Sequence, residues 1–339
     1  MVKVAIIGLG KMGMSHCAIL GAHPDVELVG MCDPDSLLQS AFKKLTKIAC
    51  YTDYKKMIDE TKPDAVYVVT PTKLHEEMVV YALEHGCHVF CEKPFSLTEK
   101  DGQIMVEAAK KYGKVNQVGY HNRFIGTFVE AKRLMDAGVI GKPFHFMGEA
   151  YGPVVLKRKG GTWRSDKKAG GGCVMDYAAH VLNLINYICG SPIVKVAGTS
   201  MPSIFSAEVD DAVYSTLTLE NGLKGQLSVC WSDDTVRKMT TSLKIEGDGG
   251  KIFVDATTLK VYVKEDNPKE GLVKGWNEKH IPELAPIVFF NLRGEEYSEE
   301  TDKFIKCIKE NKMSDRNSFE EAYKTDQIIN ALMEDAQNG

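Results

Sequence analysis

Apolar and polar residues follow two different periods along the chain, and the change occurs near residue 122. Before it, short apolar runs alternate with stretches of helical period, which predicts strands buried on both faces of a parallel sheet. The predicted strands lie at residues 4–7, 26–32, 49–51, 65–69, 89–91 and 115–119. This alternation predicts an α/β fold with an N-terminal, doubly wound parallel sheet.

Beyond residue 194 apolar residues alternate with polar ones, which is typical of antiparallel strands with one covered face. The predicted strands are residues 212–219, 224–231, 240–247, 251–255 and 259–263, and amphipathic helices at 299–310 and 319–335 close the chain. The pattern therefore predicts a C-terminal α+β domain with a mostly antiparallel sheet. We place the domains at residues 1–122 and 123–339, and leave open whether the last helix packs back on the first domain.

The hairpin at Asn221-Gly222 has two possible registers. A two-residue turn would pair Leu219 with Lys224 and mix apolar and polar side chains on one face. A three-residue loop pairs Leu219 with Leu223 and separates the two kinds of side chain. Because a one-residue slip moves every side chain to the other face, the pattern favours the three-residue loop. Gly222 then takes the left-handed conformation of a bulge.

Composition and charge narrow the class of protein. The chain has 42 Lys and Arg against 46 Asp and Glu, a net charge of −4, which gives no support for nucleic-acid binding. No apolar run reaches the roughly 18 residues of a membrane span, and the first strand begins too early to leave room for a signal peptide. Nine cysteines without framework spacing predict free thiols in a reducing cytoplasm. Cys87, His88 and Cys91 alternate between the faces of a predicted strand, so no metal site is predicted.

A glycine-rich turn follows the first strand directly and fits the pattern G-x-G-x-x-G. In such a turn the glycines allow a tight bend, approach of a pyrophosphate to the backbone, and close packing of the next helix. An aspartate closes the second strand 20 residues later, where it would hold the ribose 2′-hydroxyl and repel a 2′-phosphate. The sequence therefore predicts a Rossmann site for NAD rather than NADP. Its predicted cofactor contacts are Gly8, Gly10, Lys11, Met12, Gly13 and Asp33.

Further polar residues follow the carboxyl ends of the other strands, which is where doubly wound sheets bind ligands. They are Thr70, Pro71, Thr72, Glu92, Lys93, Tyr120, Asn122 and Arg123. Lys93 lies between a buried strand and a proline, so it is suited to orient a substrate hydroxyl beside the cofactor. The alternative is a lysine in water at the rim of the sheet.

A second group of candidate residues lies on a helix predicted at 174–189, after three consecutive glycines. Asp176 and His180 are four residues apart and share one helix face. An imidazole can take a proton near neutral pH, and a carboxylate can orient its ring. Oxidation of an alcohol needs such a base while the hydride leaves carbon. The alternative is that Asp176 and His180 are a solvated surface pair. The presence of Lys93 and of a nucleotide-binding domain in the same chain favours a catalytic role for the pair.

These residues resemble those of the glucose–fructose oxidoreductase, inositol dehydrogenase and MocA-like oxidoreductase family. The resemblance covers nearly the whole chain, and its most specific parts are Glu-Lys-Pro and Asp-x-x-x-His in this order. The matching segments are Gly8 to Gly13, Thr70-Pro71-Thr72 with His75, Glu92-Lys93-Pro94, Arg123-Phe124, Trp163-Arg164 and Gly170 to His180.

The resemblance implies a catalytic set of Lys93, Asp176 and His180. It adds to the cofactor contacts Thr70, Pro71, Thr72, His75, Glu92 and Lys93. The implied substrate contacts are Tyr120, Asn122, Arg123, Trp163, Arg164 and Asn183, the last standing where the family often has an aspartate. The family's second domain is an open, mostly antiparallel sheet that carries the subunit interface, which implies a homodimer or homotetramer.

The sequence thus predicts an NAD-dependent oxidoreductase that transfers a hydride between nicotinamide and a secondary hydroxyl or ketone of a sugar, cyclitol or sugar nucleotide. Residues 157–168 hold six cations and one acid, and this local excess leaves two interpretations open, an anionic group on the substrate and a solvated loop. Two other classes remain open. One is a glycoside hydrolase that acts through transient oxidation, and the other is a non-catalytic NAD-binding sensor.

Overall fold

A computed structural model describes residues 1–158 and 162–338 of the chain. It divides into two compact units. Unit 1 comprises Met1–His121 and Pro286–Tyr323, and unit 2 comprises Asn122–Ala285 and the chain from Lys324 onward. The division into domains at residues 122 and 123 stays a prediction. That division assigns the segment Pro286–Tyr323 to the second domain, whereas this segment lies in unit 1.

Unit 1 is built on a six-stranded parallel sheet. Its strands are β1 (Val2–Ile7), β2 (Val26–Cys32), β3 (Cys50–Tyr51), β4 (Ala65–Val68), β5 (His88–Cys91) and β6 (Asn116–Val118). The helices between them are α1 (Lys11–Ala22), α2 (Ser36–Thr46), α3 (Tyr54–Thr61), α4 (His75–Glu84) and α5 (Glu99–Tyr112). The strand order is β3-β2-β1-β4-β5-β6, so the order reverses between β1 and β4 and creates a ligand crevice at their carboxyl ends. The predicted doubly wound parallel sheet is confirmed.

Unit 2 is built on an eight-stranded sheet. Its strands are β7 (Pro143–Tyr151), β8 (Ile193–Ser200), β9 (Ala212–Leu219), β10 (Lys224–Cys230), β11 (Thr240–Gly247), β12 (Gly250–Asp255), β13 (Thr258–Val263) and β14 (Gly275–His280). Its helices are α6 (Gly126–Asp136), α7 (Ala179–Cys189) and α8 (Ile281–Leu284), and the chain closes with α9 (Glu295–Glu310), in unit 1, and α10 (Phe319–Asn338). The strand order is β14-β13-β12-β11-β7-β10-β9-β8. The predicted mostly antiparallel sheet is confirmed, with one parallel pair, β7 and β10.

The hairpin of β9 and β10 has the predicted three-residue loop. Thr218 pairs with Lys224, and Val213 with Val229. The backbone N–H of Leu219 donates to the carbonyl oxygen of Leu223 at 2.9 Å. The loop's glycine has a φ of +85°, the left-handed conformation that the pattern required.

The segment that carries Asp176 and His180 differs from the single helix expected. Val174–Ala178 forms a π-helix that continues into α7. π-helical turns are rare and occur frequently at functional sites. The spacing of four residues between Asp176 and His180 is slightly longer than one α-helical turn, which takes roughly 3.6 residues. It is shorter than the roughly five residues that a π-helical hydrogen bond spans. Asp176 and His180 therefore stay on one side of this segment. Among residues 1–158 and 162–338, no helix is both long and apolar enough to span a bilayer.

Candidate functional site

The glycine-rich turn between β1 and α1 has the geometry of a dinucleotide cradle. Gly8 has a φ of +97°, and a Cβ there would overlap the carbonyl oxygen of Val69. A Cβ on Gly13 would overlap the carbonyl oxygen of Gly8, whereas one on Gly10 would meet no atom within 4 Å. Gly10 is the N-cap residue of α1, and this helix end has no side-chain cap. Free backbone N–H groups and the helix dipole favour a pyrophosphate at this place.

Asp33 fixes the edge of this turn. Its Oδ2 accepts a hydrogen bond from the backbone N–H of Leu9 at 2.7 Å, and its Oδ1 accepts one from Asp35 at 2.9 Å. Each carboxylate oxygen keeps a further lone pair for a ribose hydroxyl. The residues of this turn therefore fit NAD, and when bound it would be held by the glycine backbone and Asp33. Lys11 is exposed and Met12 half-buried at the start of α1.

The turn after β4 is tied down by His75. Pro71 precedes a short 3-10 helix, Thr72–Leu74, and His75 opens α4. The buried His75 ring has Nε2 at 2.9 Å from the carbonyl oxygen of Thr70 and Nδ1 at 3.1 Å from that of Phe95. Burial lowers the pKa of His75, against the opposing effect of its hydrogen bonds to these two carbonyl oxygens. His75 thus connects the Thr70–Thr72 turn with the segment after Pro94, and direct contact with the cofactor stays a prediction.

Glu92, Lys93 and Pro94 follow β5, and the Lys93–Pro94 peptide bond is cis. Oε1 of Glu92 lies 2.7 Å from Nε2 of His16 in α1. Burial alone would raise the pKa of Glu92, but the hydrogen bond and charge of His16 and the charge of Lys93 outweigh it and lower that pKa. Glu92 therefore stays ionised. The sequence did not single out His16, although it lies on the helix face that also carries the buried Ile19 and Leu20.

His121, three residues after the end of β6, was not among the predicted site residues. Its ring stacks on Tyr297 of α9 with 4.6 Å between centroids. Burial, together with the positive charge of Lys93, lowers the pKa of His121 to about 3. His121 is thus a neutral donor or acceptor within the electrostatic range of Lys93. The neighbouring Tyr120 is buried, and its carbonyl oxygen accepts a hydrogen bond from Nδ2 of Asn317 at 2.9 Å.

Arg123 and Asn183, both predicted to contact substrate, contact each other in unit 2. Arg123 is fully buried and donates from Nε to Oδ1 of Asn183 at 2.6 Å. A second guanidinium nitrogen lies 3.3 Å from the carbonyl oxygen of Asn183, and the guanidinium lies 5.0 Å from the ring centroid of Tyr187. Asn122 is also buried. This arrangement anchors α7, and a contact of any of the three with substrate stays a prediction.

Asp176 is bound by Arg164. Nε of Arg164 donates to Oδ2 of Asp176 at 2.9 Å, and the guanidinium lies 4.5 Å from the ring centroid of Trp163. The Trp163 side chain is exposed, whereas Asp176 and His180 are buried. Asp176 and His180 lie in unit 2 and Lys93 in unit 1. Of the other cations in residues 157–168, Lys159 lies outside the described residues.

Asp210 holds the start of the π-helix and was also missed. Its Oδ2 accepts a hydrogen bond from the backbone N–H of Val174 at 2.7 Å, and its carbonyl oxygen accepts one from Cys173 at 3.0 Å. A Cβ on Gly172, which has a φ of +117°, would overlap Oδ1 of Asp210. Burial raises the pKa of Asp210 to about 6. The negative charge of Asp211 acts in the same direction, and several backbone hydrogen bonds oppose it. The glycines at 170–172 therefore let this carboxylate reach the helix that carries Asp176 and His180.

Comparisons with known proteins agree with this architecture. The family described as "Oxidoreductase family, NAD-binding Rossmann fold" matches residues 2–120, and the "GFO/IDH/MocA C-terminal domain" matches residues 128–253. D-glucoside 3-dehydrogenase of Escherichia coli K12 is 31% identical over 243 residues, which are 65% of this chain and 67% of that protein. Myo-inositol 2-dehydrogenase of Thermotoga maritima is 28% identical over 315 residues, 91% of this chain and 88% of that protein.

A solved structure of levoglucosan dehydrogenase with NADH and levoglucosan has the same fold, with a TM-score of 0.88 and 24% identity over 99% of this chain and 97% of that one. The family matches confirm the resemblance drawn from the motifs. The chain belongs to the GFO/IDH/MocA family of NAD-binding oxidoreductases.

Proposed function

We propose that this protein is an NAD-dependent dehydrogenase that oxidises a secondary hydroxyl of a sugar or cyclitol, or reduces the corresponding ketone. The observation that carries the proposal is the position of Lys93. It follows β5, held by Glu92, at the same carboxyl edge of the parallel sheet as the glycine-rich turn after β1. A cation beside the cofactor turn suits the oxygen of a substrate hydroxyl, which gains negative charge as its proton leaves.

His180 is the proposed general base. It takes the hydroxyl proton of the substrate while the carbon–hydrogen bond breaks, and the Lys93 ammonium donates a hydrogen bond to the hydroxyl oxygen. Bound NAD supplies the acceptor for the hydride, so an alcohol becomes a ketone, with NADH and one proton as the other products. Asp176, which accepts a hydrogen bond from Arg164, orients the side chains around it. These roles are carried over from the family resemblance residue by residue.

The substrate class follows from the relatives and from Trp163. The named relatives act on a D-glucoside, on myo-inositol and, for a Bacillus subtilis relative, on scyllo-inositol. Trp163 has 43% of its surface exposed, and an indole ring stacks well on the C–H face of a polyol ring. We propose a cyclic polyol as the substrate. An anionic substituent would be bound by the remaining cations of residues 157–168, because Arg164 is occupied by Asp176.

The experiment is an assay of NADH formation with purified protein, NAD and four compounds: myo-inositol, scyllo-inositol, methyl glucoside and levoglucosan. We expect net NADH release with at least one compound, and its loss in Lys93→Met but not in Lys100→Met, a matched change of an exposed lysine. Cleavage of a glycoside without net NADH release would instead indicate the hydrolase. Binding of NAD with no turnover of any compound would indicate the sensor.

We also propose a cytoplasmic location and a homodimer or homotetramer. All nine cysteines lie within the described residues and are free thiols, and burial raises the pKa of several, Cys17 and Cys32 among them, to about 12. Such thiols suit a reducing compartment. Cell fractionation tests the location, and light scattering tests the oligomeric state.

A further inference from the structure

Glu92 connects the helix after the glycine-rich turn with the backbone of Lys93. Oε1 of Glu92 lies 2.7 Å from Nε2 of His16, which is fully buried in α1. Oε2 accepts a hydrogen bond from the backbone N–H of Lys93 at 3.1 Å. One carboxylate therefore bridges a residue in the first turns of the cofactor-binding helix and the lysine assigned to catalysis.

The surroundings leave this carboxylate little room to move. The His16 ring packs against Phe90 and Tyr67, with centroids 5.2 and 5.5 Å apart. On the other side, a Cβ on Gly119 would lie 3.0 Å from Oε2 of Glu92, too close for an ordinary contact. Since both sides are packed, a displacement of His16 moves the Glu92 carboxylate and with it the backbone at Lys93.

A second buried carboxyl group, Glu300 in α9, interacts electrostatically with Glu92 and bears on which of the two groups is ionised. Burial, with the charges of Glu92 and Glu296 adding to it, raises the pKa of Glu300 well above its ordinary value. Of two interacting carboxyl groups in one site, one then holds its proton and the other its charge. Here Glu300 stays neutral, and the charge on Glu92 strengthens both of its hydrogen bonds.

We propose that His16 and Glu92 are positioning residues that hold the backbone of Lys93 in place from α1, the helix that follows the glycine-rich turn. The inference rests on the proposed function, in which Lys93 acts on the substrate hydroxyl. Glu92 acts through its hydrogen bond to the backbone of Lys93 and needs no contact with the cofactor. A displacement of about 1 Å in a catalytic group lowers the rate by up to roughly 10²-fold.

The test is a double-mutant cycle between His16 and Lys93, with the fastest substrate of the four-compound panel and a separate titration of NADH by fluorescence. His16→Leu removes the partner of Glu92 and retains an apolar side chain of similar size. We expect it to lower kcat roughly 10–100-fold with little change in the Kd of NADH. His16→Gln returns an N–H donor and should recover most of the rate. In single-turnover assays of Lys93→Met, His16→Leu should cause no further loss.

A matched control is His23→Leu. His23 is also buried in unit 1 and paired with a carboxylate, Asp302 at 3.3 Å, but it is not bonded to Glu92. His23→Leu should lower the stability of the protein but leave kcat unchanged. Equal losses from His16→Leu with and without Lys93 would overturn the inference, as would a loss confined to NADH affinity. If His16→Leu does not fold, His16→Met, which also lacks an N–H donor, enters the same cycle with the same two expectations. Full activity of Lys93→Met would instead refute the proposed function.

Discussion

Arg164 and Asp176 form an ion pair in which Nε of the arginine donates to Oδ2 of the aspartate at 2.9 Å. The aspartate side chain is 7% exposed and the arginine side chain 40%. The carboxylate that the sequence assigns to orienting His180 is therefore held by a residue that the sequence assigns to substrate. This pair ties the loop before the π-helix to the carboxylate that is predicted to be catalytic.

Arg164→Ala should leave the Asp176 carboxylate buried without this partner and destabilise unit 2 by about 1–3 kcal/mol. We expect kcat to fall with it, and Arg164→Lys to recover only part, because lysine lacks the planar guanidinium fork. Urea denaturation and steady-state kinetics measure the two effects. Lys142→Ala, a change of an exposed lysine elsewhere in unit 2, is the control. Equal effects of the two alanine variants would contradict a specific role of the pair.

His180→Ala should lower kcat by roughly 10²–10⁴-fold, because the imidazole serves proton transfer. The Kd of NADH, measured by fluorescence titration, should stay close to that of the parent protein, since the proposed role of the imidazole is proton transfer and not cofactor binding. His145→Ala, which changes a half-buried histidine of β7, is the control. Turnover near the parent rate would remove His180 from the mechanism.

Asp210 should make stability depend on pH between about 4 and 6. Its pKa in the folded protein is about 6, against an ordinary value of 3.8. In this window the folded state therefore binds the proton more tightly than the unfolded state. The contribution of Asp210 is then favourable at low pH and declines as the pH rises to about 6.

Asp210→Asn should remove this decline, because the amide keeps an acceptor for the N–H of Val174 but does not ionise. The difference in free energy of unfolding between parent and variant should change by up to about 2 kcal/mol across the window. Chemical denaturation at several pH values measures it. A difference that is constant with pH would show that Asp210 has an ordinary pKa.

The parts of the fold that local patterns encode could be predicted from the sequence. The apolar runs of β1 and β2 and the register of the β9–β10 hairpin depend on neighbouring residues alone. The parallel pairing of β7 with β10 joins distant stretches, and no local period encodes it. β14 was missed because Gly275–His280 is largely polar and its residues are exposed or half-buried at the edge of the sheet.

The candidate site divides in the same way. The glycine-rich turn and Asp33 are readable because their spacing alone implies a strand, a turn and a helix. The partners that position the site are distant in sequence: His16 lies beside Glu92, and Asp210 accepts a hydrogen bond from the backbone N–H of Val174. A histidine on an apolar helix face and an aspartate pair before a strand are their only sequence signals. Which carboxylate each side chain reaches is decided by packing.

Asp33 should make the enzyme select NAD. A 2′-phosphate would lie against its carboxylate, and the following Pro34-Asp35-Ser36 supplies no arginine to bind one. The ratio of kcat/KM for NAD to that for NADP measures the preference. Asp33→Ser should lower this ratio by relieving the repulsion, while Asp53→Ser, which caps α3, should not change it. A parent enzyme that prefers NADP would contradict this assignment.

The polar face of β9 and β10 should carry the subunit interface. The hairpin register separates its side chains: Val213, Leu217 and Val229 are buried, whereas Tyr214 and Thr216 are exposed on the other face. Tyr214 has 41% of its surface exposed. An aromatic ring among short polar side chains on an open sheet is typical of the residues that interfaces bury. We therefore expect light scattering to find a dimer or tetramer.

Thr216→Arg places a charge in the middle of this face, where burial against a second copy would leave it without a partner. The variant should dissociate to monomers while far-UV circular dichroism shows an unchanged fold, because the side chain points away from the buried face. Leu37→Arg is the matched control: Leu37 is 80% exposed in unit 1, and its replacement should leave the oligomer intact. A monomeric parent protein, or a Thr216→Arg variant that stays oligomeric, would place the interface elsewhere on the chain.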